Sequence, residues 1–97
     1  MLHNKPDFDL QQVRSFAAEL KIALVSAAWN SEYNDEMKIS ARQALENLGL
    51  KPKNILEYQV PGAYELPVFA LHLSESQEID AIICFATIIK GDTYHFE

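Results

Sequence analysis

Two nearly unbroken apolar runs of strand length constrain this chain more than anything else in it: residues 22–28 (Ile-Ala-Leu-Val-Ser-Ala-Ala) and residues 81–89, where Thr87 is the single interruption. A strand with one wet face alternates polar and apolar residues. A run that does not alternate expects cover on both faces, and helices on both sides of a parallel sheet supply that cover. Between the runs the periodicity changes twice. Met37, Ala41, Ala44, Leu45 and Leu48 fall on one helical stripe, with Asn34 as the expected N-cap and Asp35 and Glu36 set against the positive end of the helix dipole. Gly49 stands where a left-handed residue closes a helix, and Pro52 follows it. Residues 55–60 then alternate, Leu56, Tyr58 and Val60 against Glu57 and Gln59, which predicts a half-exposed edge strand. Beyond Pro61-Gly62, Pro67 in a first turn and Leu66, Phe69, Ala70 and Leu73 along one face predict a second helix.

Strand, helix, strand, helix, strand implies right-handed crossovers and a parallel sheet. With the amphipathic strand at an edge, the order is 2-1-3, an α/β fold of three layers (α/β/α) in the flavodoxin-like style. The reversal of order beside the first strand creates a switch point, and open α/β sheets bind ligands there, outside the carboxyl ends of the strands. Residues 1–20 carry a helical stripe at Leu10, Val13, Phe16, Ala17 and Leu20, and read either as a helix or as an arm docked on a neighbour.

Composition excludes several classes of function. The chain has 97 residues, 48% of them hydrophobic and 23% charged, room for one folded domain. A net charge of −6 with only eight scattered Lys and Arg argues against a nucleic-acid surface. No apolar run approaches the roughly 20 residues of a membrane span, and the N-terminal residues lack the apolar core of a signal peptide. A single cysteine, Cys84, cannot form an internal disulfide, so a reducing, cytoplasmic location is expected; mid-strand, Cys84 reads as packing rather than as a nucleophile. His72 reads as a surface residue, and no His, Cys, Asp or Glu spacing suggests a metal site.

Everything chemically suggestive falls in three segments after the three strands. Trp29-Asn30 offers a flat face for a heteroaromatic ring, although taken alone the tryptophan reads first as a hydrophobic plug between strand and helix. In Val60-Pro61-Gly62-Ala63-Tyr64-Glu65-Leu66-Pro67, Gly62 permits close approach of a ligand, and Glu65 accepts hydrogen bonds from a polyol or serves the helix dipole. In Ile89-Lys90-Gly91-Asp92-Thr93-Tyr94-His95, a glycine before a helix start is a ready anion site. There Asp92 opposes phosphate unless it points aside, and Asp92 or Thr93 serves equally as a simple N-cap. His95, with an ordinary imidazole pKa of about 6.5, can move protons at neutral pH or stand solvated on the helix.

Taken together and in order, Ala28-Trp29-Asn30, residues 60–67 and residues 87–97 (Thr-Ile-Ile-Lys-Gly-Asp-Thr-Tyr-His-Phe-Glu) resemble lumazine synthase. This family makes 6,7-dimethyl-8-ribityllumazine in riboflavin biosynthesis. The resemblance runs from about Lys21 to Glu97. It implies condensation of 5-amino-6-ribitylaminopyrimidinedione with 3,4-dihydroxy-2-butanone 4-phosphate, without metal or organic cofactor. It implies further that Trp29 stacks on the pyrimidine ring, that Asn30 flanks it, and that Ala63, Tyr64 and Glu65 hold the ribityl chain. Thr87, Ile88 and Ile89 would meet the ring edge, Gly91, Asp92 and Thr93 the phosphate, and His95 would shuttle protons. The family assembles as pentamers, sometimes as shells of pentamers, so a homo-oligomer is implied. Its domain continues beyond the part matched here, so residues 21–97 are expected to be a C-terminally truncated domain. A non-catalytic lumazine- or flavin-binding module, or a shell-forming fragment of the same fold, are the alternatives.

Overall fold

A computed structural model describes residues 9–90. The elements follow as α1 (Leu10–Phe16), β1 (Ile22–Ala27), α2 (Ser31–Leu48), β2 (Ile55–Val60), α3 (Leu66–Ser76) and β3 (Ala81–Phe85), with 3-10 turns at Ala17–Glu19, Pro52–Asn54 and Ala63–Glu65. The three strands form a parallel sheet in the order β2-β1-β3. This is the three-layer α/β/α, flavodoxin-like arrangement with the 2-1-3 order that the strand patterns predict.

β1 lies at the centre, and every residue in it is buried. Ile22 and Leu24 point toward α2 and meet Ala17, Leu50 and Ile55, with Leu45, Leu48 and Ile83 packed alongside. Ala23 and Val25 point the other way, into a cluster with Val60, Leu66 and Leu73 that Tyr58, Phe69 and Ile82 extend. Both faces of the central strand are therefore covered, as a non-alternating run requires. Ser26, the polar residue within it, accepts from the Lys38 ammonium at 3.3 Å. At the start of the sheet Asp80 clamps β3 to the residue before β1: its carboxylate accepts from the Lys21 amide, and its own amide donates to the Lys21 carbonyl, both at 2.8 Å.

β2 behaves as an alternating strand should. Leu56, Tyr58 and Val60 share the α3 side, while Glu57 and Gln59 are exposed. Gly49 closes α2 at φ 112°, its amide reaching the Leu45 and Glu46 carbonyls. A side chain with a Cβ adopts that conformation only at a cost, which is the physical reason for glycine here.

Three expectations change. Asn34 does not cap α2. The helix begins at Ser31, with Asn30 at its N-cap in the left-handed region (φ 61°), and Glu32 rather than Asp35 or Glu36 supplies the charge of the first turn. A short polar side chain tolerates that backbone, and it turns the chain a few residues sooner than the acidic cluster suggested. The stripe of α2 is also rotated. Ala41, Leu45 and Leu48 pack on the core, but Met37 and Ala44 are exposed, and Asn34, Lys38 and Arg42 take places on the inward side. Finally, strand pairing in the third apolar run stops at Phe85; residues 86–90 continue unpaired, and among the described residues β3 has β1 as its one strand neighbour.

Candidate functional site

The carboxyl ends of the three strands meet at one edge, where a few backbone bonds bring their loops together. The Ala28 amide donates to the Val60 carbonyl at 2.7 Å, and the Trp29 amide to the Pro61 carbonyl at 3.2 Å. The segment after β1 is thus fastened to the segment after β2. On the other side, Asn30 Nδ2 donates to the Thr87 carbonyl at 2.8 Å, which fastens it to the segment after β3.

A cleft of about 590 Å³ opens between the three segments. Trp29 and Asn30 line it from the first, Ala63, Tyr64 and Glu65 from the second, and Thr87, Ile88 and Ile89 from the third. All the described candidates therefore converge on one cavity, although they are separated by up to about sixty positions in the chain. The volume lies within the roughly 300–1,000 Å³ of small-molecule sites, and such sites are lined mostly by apolar surface with a few polar groups. The remaining candidates, Gly91, Asp92, Thr93 and His95, lie outside the described residues.

Trp29 is 75% exposed, which excludes the plug reading: a plug between strand and helix would be buried. It lines the cleft and is open to solvent there. Tyr64 is exposed to a similar degree, so an aromatic ring and a phenol flank the same opening. Gly62 sits between them in an extended conformation (φ −148°) that any residue adopts. A Cβ there would meet Trp29 Cδ1 at 3.6 Å, an ordinary contact, and Glu65 Oε1, the end of a flexible side chain, at 3.1 Å, so the turn runs close beside both cleft residues. Glu65 precedes α3 but makes no capping bond with its side chain, which leaves the carboxylate at the cleft rather than committed to the helix end.

The Thr87 hydroxyl donates inward to Asn34 Oδ1 at 2.7 Å, and its carbonyl is taken by Asn30. Thr87 therefore shapes the wall, while Ile88 and Ile89, about half exposed, present the apolar surface beside it. Sequence reasoning missed Ala27 and Ala86, the small residues at the floor where β1 and β3 end. Their signal was present but generic, since alanine at a strand end is uninformative until the strands are paired.

The strongest charge cluster lies elsewhere. On α2, Arg42 bonds Glu57 of β2, Glu46 and the Ile55 carbonyl. The Arg42 hydrogen bond holds the Glu57 carboxyl below its ordinary range, aided by the Coulombic pull of Arg42 and Lys38. This network binds helix to sheet on the side away from the cleft. No helix among the described residues is long and apolar enough to cross a membrane.

Comparison with known proteins identifies the family. The family model for 6,7-dimethyl-8-ribityllumazine synthase matches residues 19–97. A protein of that name from Parabacteroides distasonis is 37% identical over 94 residues, covering 97% of this chain and 58% of the relative. One from Deinococcus deserti is 41% identical over 81 residues, covering 84% and 52%. One from Neisseria meningitidis is 38% identical over 78 residues, covering 80% and 49%. The chain spans about half the length of the curated relatives it matches. A match that takes in all three cleft segments and the whole sheet places this chain in the 6,7-dimethyl-8-ribityllumazine synthase family.

Proposed function

We propose that the protein is a lumazine synthase of riboflavin biosynthesis. In this reading it condenses 5-amino-6-ribitylaminopyrimidinedione with 3,4-dihydroxy-2-butanone 4-phosphate to give 6,7-dimethyl-8-ribityllumazine. The observation that carries the reading is the convergence on one cleft, at the sheet's switch point, of three separate segments that all fall within the stretch the family model matches. The pyrimidine ring stacks on the exposed face of Trp29, its edge against Thr87–Ile89, with Asn30 at its flank. Ala63, Tyr64 and Glu65 hold the ribityl chain, Glu65 by accepting from hydroxyl groups.

The chemistry asks for placement and proton transfer. The 5-amino group adds to the ketone and water leaves to form an imine; phosphate is then eliminated, and ring closure by the ribitylamino nitrogen releases a second water. Each step moves protons near neutral pH, which suits the imidazole of His95. Holding two substrates side by side can itself supply several kcal/mol. Gly91, Asp92 and Thr93 receive the phosphate through main-chain donors, which anchors that substrate and stabilises the leaving group. No metal or organic cofactor takes part. The protein works in the cytoplasm as a homo-oligomer, a pentamer or an assembly of pentamers.

The test is lumazine formation followed optically with both substrates, with His95→Ala as the control. The expected loss is about a hundredfold or more in turnover, with substrate binding little changed. Undiminished turnover in the variant would remove His95 from the mechanism. Tight binding of the ribityllumazine with no turnover in the parent chain would favour the second reading, a binding module. That reading has one observation behind it: the ring and ribityl candidates all line the cleft.

A further inference from the structure

Behind the cleft, and not lining it, sits Asn34. It is fully buried, in the second turn of α2. Asparagine is a poor helix-interior residue, because its side chain competes for backbone groups. Here that competition is put to use. Asn34 Nδ2 donates to the Ala27 carbonyl at 2.8 Å and to the Trp29 carbonyl at 3.0 Å. Its Oδ1 accepts from the Thr87 hydroxyl at 2.7 Å. The two carbonyls flank the turn that carries the Trp29 ring, and the hydroxyl belongs to the opposite wall of the cleft. One buried amide thus holds both walls from behind.

We propose that Asn34 is a positioning residue that sets the gap between the Trp29 ring and the segment after β3, and so fixes the slot for a flat heteroaromatic ring. The inference rests on reading the cleft as a ring site. It follows from where the bonds go. The left-handed turn at Asn30 leaves the Trp29 carbonyl facing inward, and a buried carbonyl without a partner is costly. Asn30 adds a second tie to the Thr87 carbonyl, but it lines the cleft itself; Asn34 does not line it and acts only through Ala27, Trp29 and Thr87.

The test uses the full chain and four variants. Asn34→Ala removes all three bonds, and Asn34→Asp keeps the size and one acceptor but loses both donors. Thr87→Val removes the hydroxyl at constant shape, and Thr87→Ser keeps it. Trp29 is the only tryptophan in the chain, so its emission and anisotropy report on that ring alone. Each variant is measured well below its own melting midpoint, and then titrated with 6,7-dimethyl-8-ribityllumazine by quenching of Trp29. Asn34→Ala and Asn34→Asp are expected to shift the emission, raise ring mobility and weaken binding by about tenfold, as loss of buried hydrogen bonds would. Thr87→Val should weaken it less, and Thr87→Ser should restore the parent's signal. Variants that melt earlier yet keep the parent's Trp29 signal and affinity would overturn the proposal and leave Asn34 a structural residue. If Asn34→Ala does not fold, Asn34→Asp and the Thr87 pair decide the matter. Failure of the parent chain to bind lumazine would overturn the ring-site reading instead, while the Trp29 signal of the unliganded variants would still decide the role of Asn34.

Discussion

β1 and β3 run side by side in parallel register, Leu24 opposite Ile83 and Val25 opposite Cys84, yet they live in different surroundings. β1 includes a serine and is buried at every position; β3 reads Ala-Ile-Ile-Cys-Phe and is nowhere fully buried. The more apolar strand is the wetter one. β1 has a strand on each side and a helix over each face, whereas β3 has, among the described residues, one strand neighbour. Hydropathy in a run states what a strand could lose to solvent by burial. Burial itself depends on how many neighbours close around it. β2 offers a third case, an edge strand whose outward positions are Glu57 and Gln59 and whose neighbour across the helix is a cation, which blunts the edge.

The sharpest way to break the comparison is a matched pair of truncations in one layer. Leu24→Ala should cost about 3 kcal/mol, since the residue is fully enclosed and its cavity cannot collapse. Ile83→Ala, beside it in the same cluster, should cost about half as much because its side chain is only partly buried. Urea titration of both variants measures this, and equal costs would show that β3 is as well covered as β1. A smaller effect is expected at Cys84. The residue is exposed, yet the apolar surroundings of its strand push the thiol pKa up. Alkylation by iodoacetamide at pH 8 should therefore be slower than for a small free thiol, because the thiolate is the reacting species. A rate equal to the free thiol's would place the sulfur fully in water.

The smallest effect concerns β2. Its Glu57 carboxyl is held below the ordinary value by Arg42, so the folded state favours the ionised form. The stability this contributes is present above the unfolded carboxylate pKa of about 4.3 and is lost as pH falls from there through the lowered folded value. Glu57→Gln should cost about 0.5 kcal/mol near pH 7, discounted for its solvent contact, and nothing measurable at the acid end. A cost that persisted below pH 3 would assign the loss to packing rather than to charge. Raised salt should shrink the difference at pH 7 while leaving the Leu24 and Ile83 costs nearly unchanged.

Much of the fold was readable because its signals are local. Gly49 had to be left-handed, residues 55–60 had to alternate, and Pro67 had to stand in a first turn, each for reasons contained within a few bonds. The candidate cleft was readable in another way, through three short segments whose order and spacing resemble a family. What escaped were residues whose role depends on something distant. Asn34 looked like a cap because caps are judged by their own neighbours; its partners at Ala27, Trp29 and Thr87 lie on other segments. Met37 and Ala44 fitted a stripe on an ideal helix, but α2 docks on the sheet through a face that includes Asn34, Lys38 and Arg42 and leaves those two exposed. Trp29 could not be divided between plug and platform until its exposure was known.

The amino-acid order by itself determined the alternation of strands and helices, the edge character of β2, and which three segments would share the carboxyl edge of the sheet. These follow from periodicity and backbone sterics, which act over a turn or a strand. Only the tertiary structure decided that Trp29 faces open space, that the Gly62 turn lies against Trp29 and Glu65, and that Asn34 braces the cleft from behind. Such roles depend on distances between segments up to about sixty residues apart, and those distances come into being only when the two faces of β1 are buried.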